Sequence, residues 1–426
     1  MIWRIAETEE WMSETRVVDI VVVGAGPVGG ALACRLAAGG VRTAIIDRAP
    51  LPPMEHPAFD GRAYAIARGS RALLQAAGLW DRLPDPPCPI RGIRVSDGKP
   101  GRPASPLFLH FDVEEAGLAA AEPEEEAFGW MVEARALRRA LNGLLHATPD
   151  LAVYAPASAA LNRGATGAEV TIANGPRLTC RLVIAAEGRD SPLRRAAGIP
   201  VTRFAYRQSG IVAAIAHERP HNNVALEHFL PAGPFAQLPM SPTAEAAHVS
   251  AIVWTERPAV AARIMALDEA AFGAEIARRL GGHLGAIRPI GRRWLYPLSA
   301  LHAHRYIATR LALVGDAAHG IHPIAGQGLN LGFQDAIALA DLIIAARARG
   351  ADPGDPALLA RYQKARRGPN LLMLATTDAL DRLFSNDFSP IRLARDLGIA
   401  AVHRMPPLKR LFMRRAMGLP GFPSPL

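Results

Sequence analysis

Three glycines and one carboxylate carry the first chemical signal in this chain. Gly24, Gly26 and Gly29 stand in the spacing GxGxxG, and Asp47 follows 18 residues after the last of them. In such a pattern the first glycine permits a tight turn and the second lets the main chain approach a pyrophosphate. The third lets a helix pack closely on a strand. The phosphate then sits at the positive N-terminus of that helix, and a carboxylate ending the next strand accepts hydrogen bonds from a ribose. The glycines mean this only in the right surroundings. Here they follow Val17–Val23, a β-branched apolar run that predicts a buried parallel strand. An Ala- and Leu-rich helix ended by Gly39 and Gly40 comes next, and then a strand over Val41–Ile46. The pattern predicts a dinucleotide site and leaves open which dinucleotide.

A second constellation lies in Leu311–Asn330, LALVGDAAHGIHPIAGQGLN. A strand ends at Gly315, Asp316 offers a fixed acceptor for ligand hydroxyls, and Gly326 and Gly328 precede a helix. Glycines there leave backbone N–H groups accessible to an anion or an electron-rich ring.

The elements that must position these residues are legible as periodicities. Helix is expected over Arg62–Leu79, over Ala134–Leu145 with Leu137, Leu141, Leu144 and Leu145 on one face, over Ala259–Leu280 and over Phe333–Ala348. Strands are expected at Gly210–Ala216, Val224–Leu230, Phe235–Leu238, Val249–Trp254 and Leu311–Val314. Pro50–Pro57 and the glutamate-rich Glu114–Glu126 read as loops, and the chain is helical and basic from Leu371 onward. An α/β nucleotide unit interrupted by an antiparallel sheet implies two interleaved domains with a cleft between them.

Composition sets the outer limits. The chain has 426 residues, of which 50% are apolar and 20% charged, which excludes a disordered protein. Three cysteines, Cys34, Cys88 and Cys180, cannot form a disulfide framework, so a reducing, cytoplasmic setting is expected. The net charge is +9, and only Lys99, Lys364 and Lys409 among the 48 basic side chains are lysines. That balance favours anionic partners, but no aromatic-interleaved basic tract points to nucleic acid. The longest uncharged stretches are short and broken by Gly or Pro, so no membrane span is expected. Glu7, Glu9 and Glu10 exclude a secretory signal with a basic start.

The whole set resembles a known family. GDAAH followed by HPIAGQGLNLG is similar to the second FAD signature of the single-component flavoprotein aromatic hydroxylases, and most resembles their ubiquinone-biosynthesis branch. DGRAYAIARGSRALLQAAGLW at 60–80, RLVIAAEGRDSPLRRAAGI at 181–199, GPFAQLPM at 233–240 and Val253-Trp254 resemble the same branch. The resemblance implies an α/β fold: a Rossmann-like, p-hydroxybenzoate hydroxylase-like FAD-binding domain, an interleaved antiparallel-sheet substrate domain and a helical C-terminus. It divides the chain into FAD-binding parts 17–90, 126–205 and 296–370, substrate parts 91–125 and 206–295, and a basic helical region 371–426.

The implied chemistry is a monooxygenation. NAD(P)H reduces FAD transiently, O₂ is the co-substrate, and a C4a-hydroperoxyflavin hydroxylates the ring of a polyprenylated phenol. Gly24, Gly26, Gly29, Asp47 and Arg48 would hold the adenosine and pyrophosphate. Gly315 and Asp316 would hold the ribityl part, and Gly326, Gly328, Leu329 and Asn330 would face the flavin. Arg62 and, on the following helix, Arg135 would lie near the cofactor, and Pro323 near the flavin ring. Leu238, Pro239 and Trp254 would line the substrate pocket. No protein side chain is assigned a catalytic role and no metal is expected. The alternatives are a hydroxylase of a small soluble aromatic and a non-catalytic flavoprotein scaffold in a quinone-synthesis complex.

The chain departs from the family pattern in places. Glu187-Gly188 replaces the usual Asp-Gly, with Asp190 as a second candidate carboxylate, and Gln237 is unusually polar for a strand lining an apolar pocket. His319 and His322 read as packing or capping groups, His302 and His304 as surface histidines, and Arg194 and Arg195 as solvated. The tail from Val402 is basic with interleaved apolar residues, which fits either a docked helix or an anionic membrane surface. Peripheral association with an inner membrane and with other quinone-biosynthesis proteins follows as an expectation.

Overall fold

The computed structural model describes residues 15–51, 59–101, 109–116 and 126–384, and beyond them Met405, 409–410, 413–414 and 417–419. Most of the Pro50–Pro57 loop, the glutamates of 117–125 and much of the basic tail lie outside the described residues.

The first half contains β1 (Thr15–Val17), β2 (Ile20–Val23), α1 (Pro27–Ala38), β3 (Thr43–Ile46), β4 (Ala63–Ala67), α2 (Arg68–Ala76), β5 (Cys88–Ile90), β6 (Gly92–Asp97), β7 (Leu109–Asp112), β8 (Gly129–Glu133), α3 (Ala134–Ala147) and β9 (Leu151–Tyr154). Then come β10 (Ala159–Arg163), β11 (Ala168–Ile172), β12 (Arg177–Cys180), β13 (Leu182–Ala185), α4 (Pro192–Ala196), β14 (Val201–His217), β15 (Val224–Leu230), β16 (Gly233–Met240) and β17 (Val249–Glu256). The remainder is α5 (Pro258–Met265), α6 (Glu269–Leu280), β18 (Ile287–Ala303), β19 (Ile307–Ala308), β20 (Leu311–Leu313), β21 (His319–Gly320), α7 (Gln327–Ala348) and α8 (Pro356–Phe384).

Two large sheets organise these elements. One has the order β19-β20-β13-β2-β3-β9, and its strands from β20 to β9 run parallel. Helices α1, α3 and α7 and a small sheet of β1, β12, β11 and β10 share one hydrophobic core with it. The other has the order β21-β18-β14-β17-β16-β15-β6-β7. It draws its strands from 92–112, 201–303 and 319–320, so the two sheets are threaded through each other in sequence. A third sheet, β4-β8-β5, lies between them, and its Ala63, Ala65 and Met131 join one cluster with Ala225, Leu238 and Ala251 of the eight-stranded sheet.

Several sequence expectations are corrected. Val17–Val23 is not one strand: the chain breaks at Val18-Asp19, where the Asp19 carboxylate accepts from Arg42 N at 3.1 Å, and β1 leaves to pair with β12. Arg62–Leu79 is not one helix. Its first part is β4, which pairs antiparallel with β8, and α2 begins at Arg68. Ala259–Leu280 is two helices, because α5 ends at Met265 and Asp268 caps α6 by accepting from Ala271 N at 2.7 Å. The strand expected at Gly210 starts at Val201, and the helix expected at Phe333 starts at Gln327. Among the described helices α7 is long and apolar enough to cross a membrane, yet it packs on α1 in the core.

Candidate functional site

The three glycines of the first motif have three distinct surroundings. Gly24 adopts φ +109°, and a Cβ there would meet Ala186 O at 2.4 Å. A Cβ on Gly29 would lie 2.0 Å from Gly24 O. At Gly26 no protein atom comes within 4 Å of that position, so its face is open. Gly26 is also the N-cap of α1, which has Pro at its first position, no side-chain cap and no acidic residue in its first turn. An uncapped, unopposed helix N-terminus with an open glycine is an anion cradle. The pyrophosphate of FAD fits it in charge and in space.

Asp47 is oriented beside that cradle. Its Oδ2 accepts from Ala25 N at 2.7 Å and its Oδ1 from Ala49 N at 2.8 Å. Arg48 is exposed next to it. Opposite lies Glu187, whose Oε2 accepts from Ser191 Oγ at 2.5 Å and Leu193 N at 3.2 Å. Burial raises the Glu187 carboxyl above its ordinary value, against the lowering effect of the Ser191 and Leu193 hydrogen bonds. Asp190 instead pairs at the surface with Arg203 at 2.8 Å.

The second constellation is fastened from behind. Asp316 pairs with Arg189 Nε at 2.9 Å, and Arg189 also donates to Ser299. Gly315 N donates to the buried Asp335, which also accepts from His319, Arg366 and Asn370. Gly326, at φ +62°, is the N-cap of α7, which likewise lacks a side-chain cap, and Gly328 has open space where a Cβ would be. Leu329 packs against the core of the parallel-sheet unit. Asn330 does more than offer its backbone: its Oδ1 accepts from Ala67 N and its Nδ2 donates to Ala65 O, both at 2.8 Å. It therefore ties β4 to the glycine loop, and β4 begins beside Arg62. Arg62 is held by Asp60 at 2.6 Å and lies over the Trp294 ring at 4.3 Å. Arg135 is paired with Glu133 at 3.2 Å on the same side of the molecule. Pro323 precedes the short helical turn 324–326 and is half-buried.

The substrate-side expectations divide. Leu238 lies on the sheet face that meets β4 and β8. Trp254 does not: it is buried on the opposite face, among Phe235, Phe272 and the Arg279 guanidinium at 3.8 Å. Strand alternation puts Pro239, paired with Ser250, on that helix-backed face as well. Both assignments are corrected for that reason. Gln237 shares this face, where it donates to Ser250 Oγ at 2.9 Å. His302 is buried rather than at the surface, and burial pushes its pKa down to about 4. Arg194 is also buried, donating to Ala317 O and Arg189 O at 2.8 Å. His319 and His322 are packed and hydrogen-bonded, as expected. Among the described residues no group of His, Cys, Asp and Glu is arranged to hold a metal.

Two site arginines escaped the sequence reading. Arg138 of α3 donates to Ala25 O at 2.6 Å, inside the first glycine turn. Arg189 orients Asp316. The GRD segment beside Glu187 was the available signal for the second; nothing in the periodicity of α3 marked the first.

Comparison with known proteins places the chain in a family. A family model described as FAD binding domain matches residues 17–369. The chain is 49% identical over 407 residues to a ubiquinone hydroxylase, UbiL, of Rhodospirillum rubrum, covering 95% of this chain and 91% of that protein. It is 35% identical to the 3-demethoxyubiquinol 3-hydroxylase of Escherichia coli, covering 94% and 98%. The fold matches p-nitrophenol 4-monooxygenase of Pseudomonas putida with a TM-score of 0.72 at 18% identity, covering 94% of this chain and 98% of that one.

Proposed function

The chain belongs to the FAD-binding-domain family, and from that premise we propose that it is an FAD-dependent monooxygenase that hydroxylates the aromatic ring of a polyprenylated phenol in ubiquinone biosynthesis. FAD is its cofactor, NAD(P)H its reductant and O₂ its co-substrate. The observation that carries the substrate is the near full-length likeness to ubiquinone hydroxylases, 49% identical in one case.

When bound, FAD supplies the electron transfer and oxygen activation that amino-acid side chains lack. The chain's own residues bind, orient and seal. In this reading Gly26 and the first turn of α1 hold the pyrophosphate, and Asp47 holds the adenosine ribose. Asp316, braced by Arg189, holds the ribityl hydroxyls. The N-terminus of α7 at Gly326 and Gly328 would face the flavin ring, where its partial positive charge would favour negative charge on the bound group. Arg62, kept in place by Asp60 and Trp294, adds a fixed cation on that side.

The test is mass spectrometry of quinone lipids from a strain lacking this protein. Loss of ubiquinone with accumulation of a prenylated precursor short of one oxygen is the expected result. Normal ubiquinone would favour the small-aromatic alternative instead.

A prenylated substrate partitions into lipid, and we propose peripheral membrane contact as the corollary. Leu371, Leu372 and Leu383 on α8 and Met405 are large apolar side chains left at least 41% exposed, on a chain of net charge +9. Binding to anionic vesicles that Leu372→Glu weakens would support the contact, and binding that it leaves unchanged would refute it.

A further inference from the structure

We propose that Glu227 hydrogen-bonds the phenolic hydroxyl of the substrate and takes its proton as the ring is oxygenated. The inference rests on the proposed hydroxylation.

Glu227 lies mid-strand in β15, between Ala225 and Phe229 on one face of the eight-stranded sheet. Strand pairing puts it in a cross-strand row that reads Leu109, Val95, Glu227, Ala236, Val253, Val212 and Trp294. Every other member of that row is apolar or aromatic. The row ends at Trp294, whose ring lies under Arg62 and whose Nε1 donates to Asp60 O at 2.8 Å. The adjacent row contains Leu238 and Ala214, over which Gly61 sits. The turn after β15 is tied to the cofactor-side loop: Gln208 Nε2 donates to Ala232 O at 3.0 Å, and its Oε1 accepts from His322 Nε2 at 3.3 Å, one residue before Pro323. By alternation Glu227 shares the sheet face of Ala225 and Leu238, the face that packs against β4 and β8.

The carboxylate lacks a partner there. Among the described residues nothing donates a hydrogen bond to it or forms an ion pair with it. The residue is half-buried on its strand, and the carboxyl lies deep enough among protein atoms to be desolvated. Natural folds rarely bury an unpaired carboxylate, because the uncompensated charge is costly. Such a group persists where a ligand supplies the missing donor. Burial alone pushes its pKa up to about 7, closer to a phenol than an ordinary carboxylate is and better matched to accept its proton. Of the neighbouring charged groups on β6, Arg94 points to the other side, and Asp97 shares the face of Glu227 one row away, opposite Phe229, where as a second carboxyl it offers no charge to pair with.

The step balances. The phenolic O–H bond breaks, its proton passes to Glu227, and the oxygen lone pair feeds the ring. The ring carbon forms its C–O bond with an oxygen atom derived from O₂, with NAD(P)H supplying two electrons and the second oxygen atom leaving as water. The hydrogen on that carbon departs as a proton. Glu227 returns its own proton to the phenolic oxygen as the ring re-aromatises and ends as a carboxylate.

The experiment uses the full FAD-loaded chain, 2-geranylphenol and its methyl ether, 2-geranylanisole. FAD content and NAD(P)H oxidation are measured alongside binding of both probes. Wild type is expected to bind the phenol more tightly than the ether and to hydroxylate it at a rate that rises with pH through about 7. Glu227→Gln should erase the binding preference and the pH limb and lower the hydroxylation rate roughly 100-fold with FAD content unchanged. Glu227→Asp should recover part of both, and it takes over the test if Glu227→Gln fails to fold. A Glu227→Gln protein that still prefers the phenol and keeps the pH limb overturns the proposal. If wild type prefers the phenol without hydroxylating it, the binding role of Glu227 survives and the hydroxylation reading fails. If wild type shows no preference at all, the role of Glu227 falls.

Discussion

Gly26 and Gly29 are three residues apart and chemically identical, yet the structure assigns them different work. A methyl group on Gly29 would lie 2.0 Å from Gly24 O, inside the strand-helix contact, whereas one on Gly26 would point into open space. Gly29→Ala should therefore destabilise the fold by about 1–3 kcal/mol, the usual cost of overpacking. Gly26→Ala should leave the melting temperature of the FAD-free protein within about a degree and weaken FAD binding, because its methyl takes the space of a phosphate. Thermal melts with and without added FAD separate the two, and equal melts for the FAD-free variants would contradict the assignment. At this scale the sequence was most legible where spacing encodes geometry: Gly24, Gly26, Gly29 and Asp47 all sit as the motif requires. It was least legible where a role depends on what lies opposite. Nothing near Glu227 in sequence reveals that its row is otherwise apolar, and nothing near His302 or Arg194 reveals that both are buried.

Strand alternation decides what each element can contribute. Leu238 and Trp254 both lie on long strands of one sheet, but pairing places Leu238 opposite Ala251 and Trp254 opposite Phe235, on different faces. Pattern alone gives the period and not which face meets the cofactor unit. Likewise Arg62–Leu79 has helical composition throughout, but pairing with β8 and the two Asn330 hydrogen bonds hold its first part as a strand. The same kind of long-range fastening joins the second glycine loop to α7 and α8 through Asp335. Burial opposes its ionisation, but His319 and Arg366 hold its carboxyl below its ordinary 3.8. A carboxyl with a lowered folded-state pKa contributes stability that is fully present above the unfolded value and lost as pH falls through the folded one. Asp335→Asn is expected to cost about 3 kcal/mol near neutral pH, because Arg366 and His319 lose a buried partner. That gap should narrow as the solution is acidified below 3.8. Denaturant titrations at several pH values check it, and a gap that widens in acid would contradict the pairing.

Across the whole molecule, the C-terminal tail joins the units that the sequence separates. Its composition reads equally well as a membrane-facing basic segment or as a docked helix. In the described residues the docked reading holds: Lys409 is buried and paired with Glu115. Met413 and Met417 are buried in a cluster with Met131, Met240 and Val249, and Met417 O accepts from Gly69 N at 2.8 Å. Only spatial neighbours from β7, β8, β16 and β17 make that placement visible, which is why periodicity along the tail could not choose. The cluster also contains Leu238 and Ala65, so the tail packs where β4 and the eight-stranded sheet meet. Deleting residues 408–426 should therefore do more than reduce lipid contact. Two buried methionines are lost, at about 2–5 kcal/mol for each such side chain cut to nothing larger than alanine, and the substrate side opens to water. The expected result is a lower melting temperature and NAD(P)H oxidation that yields peroxide in place of hydroxylated phenol, since an opened site no longer excludes solvent. Met417→Ala should show the same uncoupling more mildly while leaving vesicle binding intact. If the deletion lowers vesicle binding alone, with stability and coupling unchanged, the tail is a membrane segment and its docking is incidental.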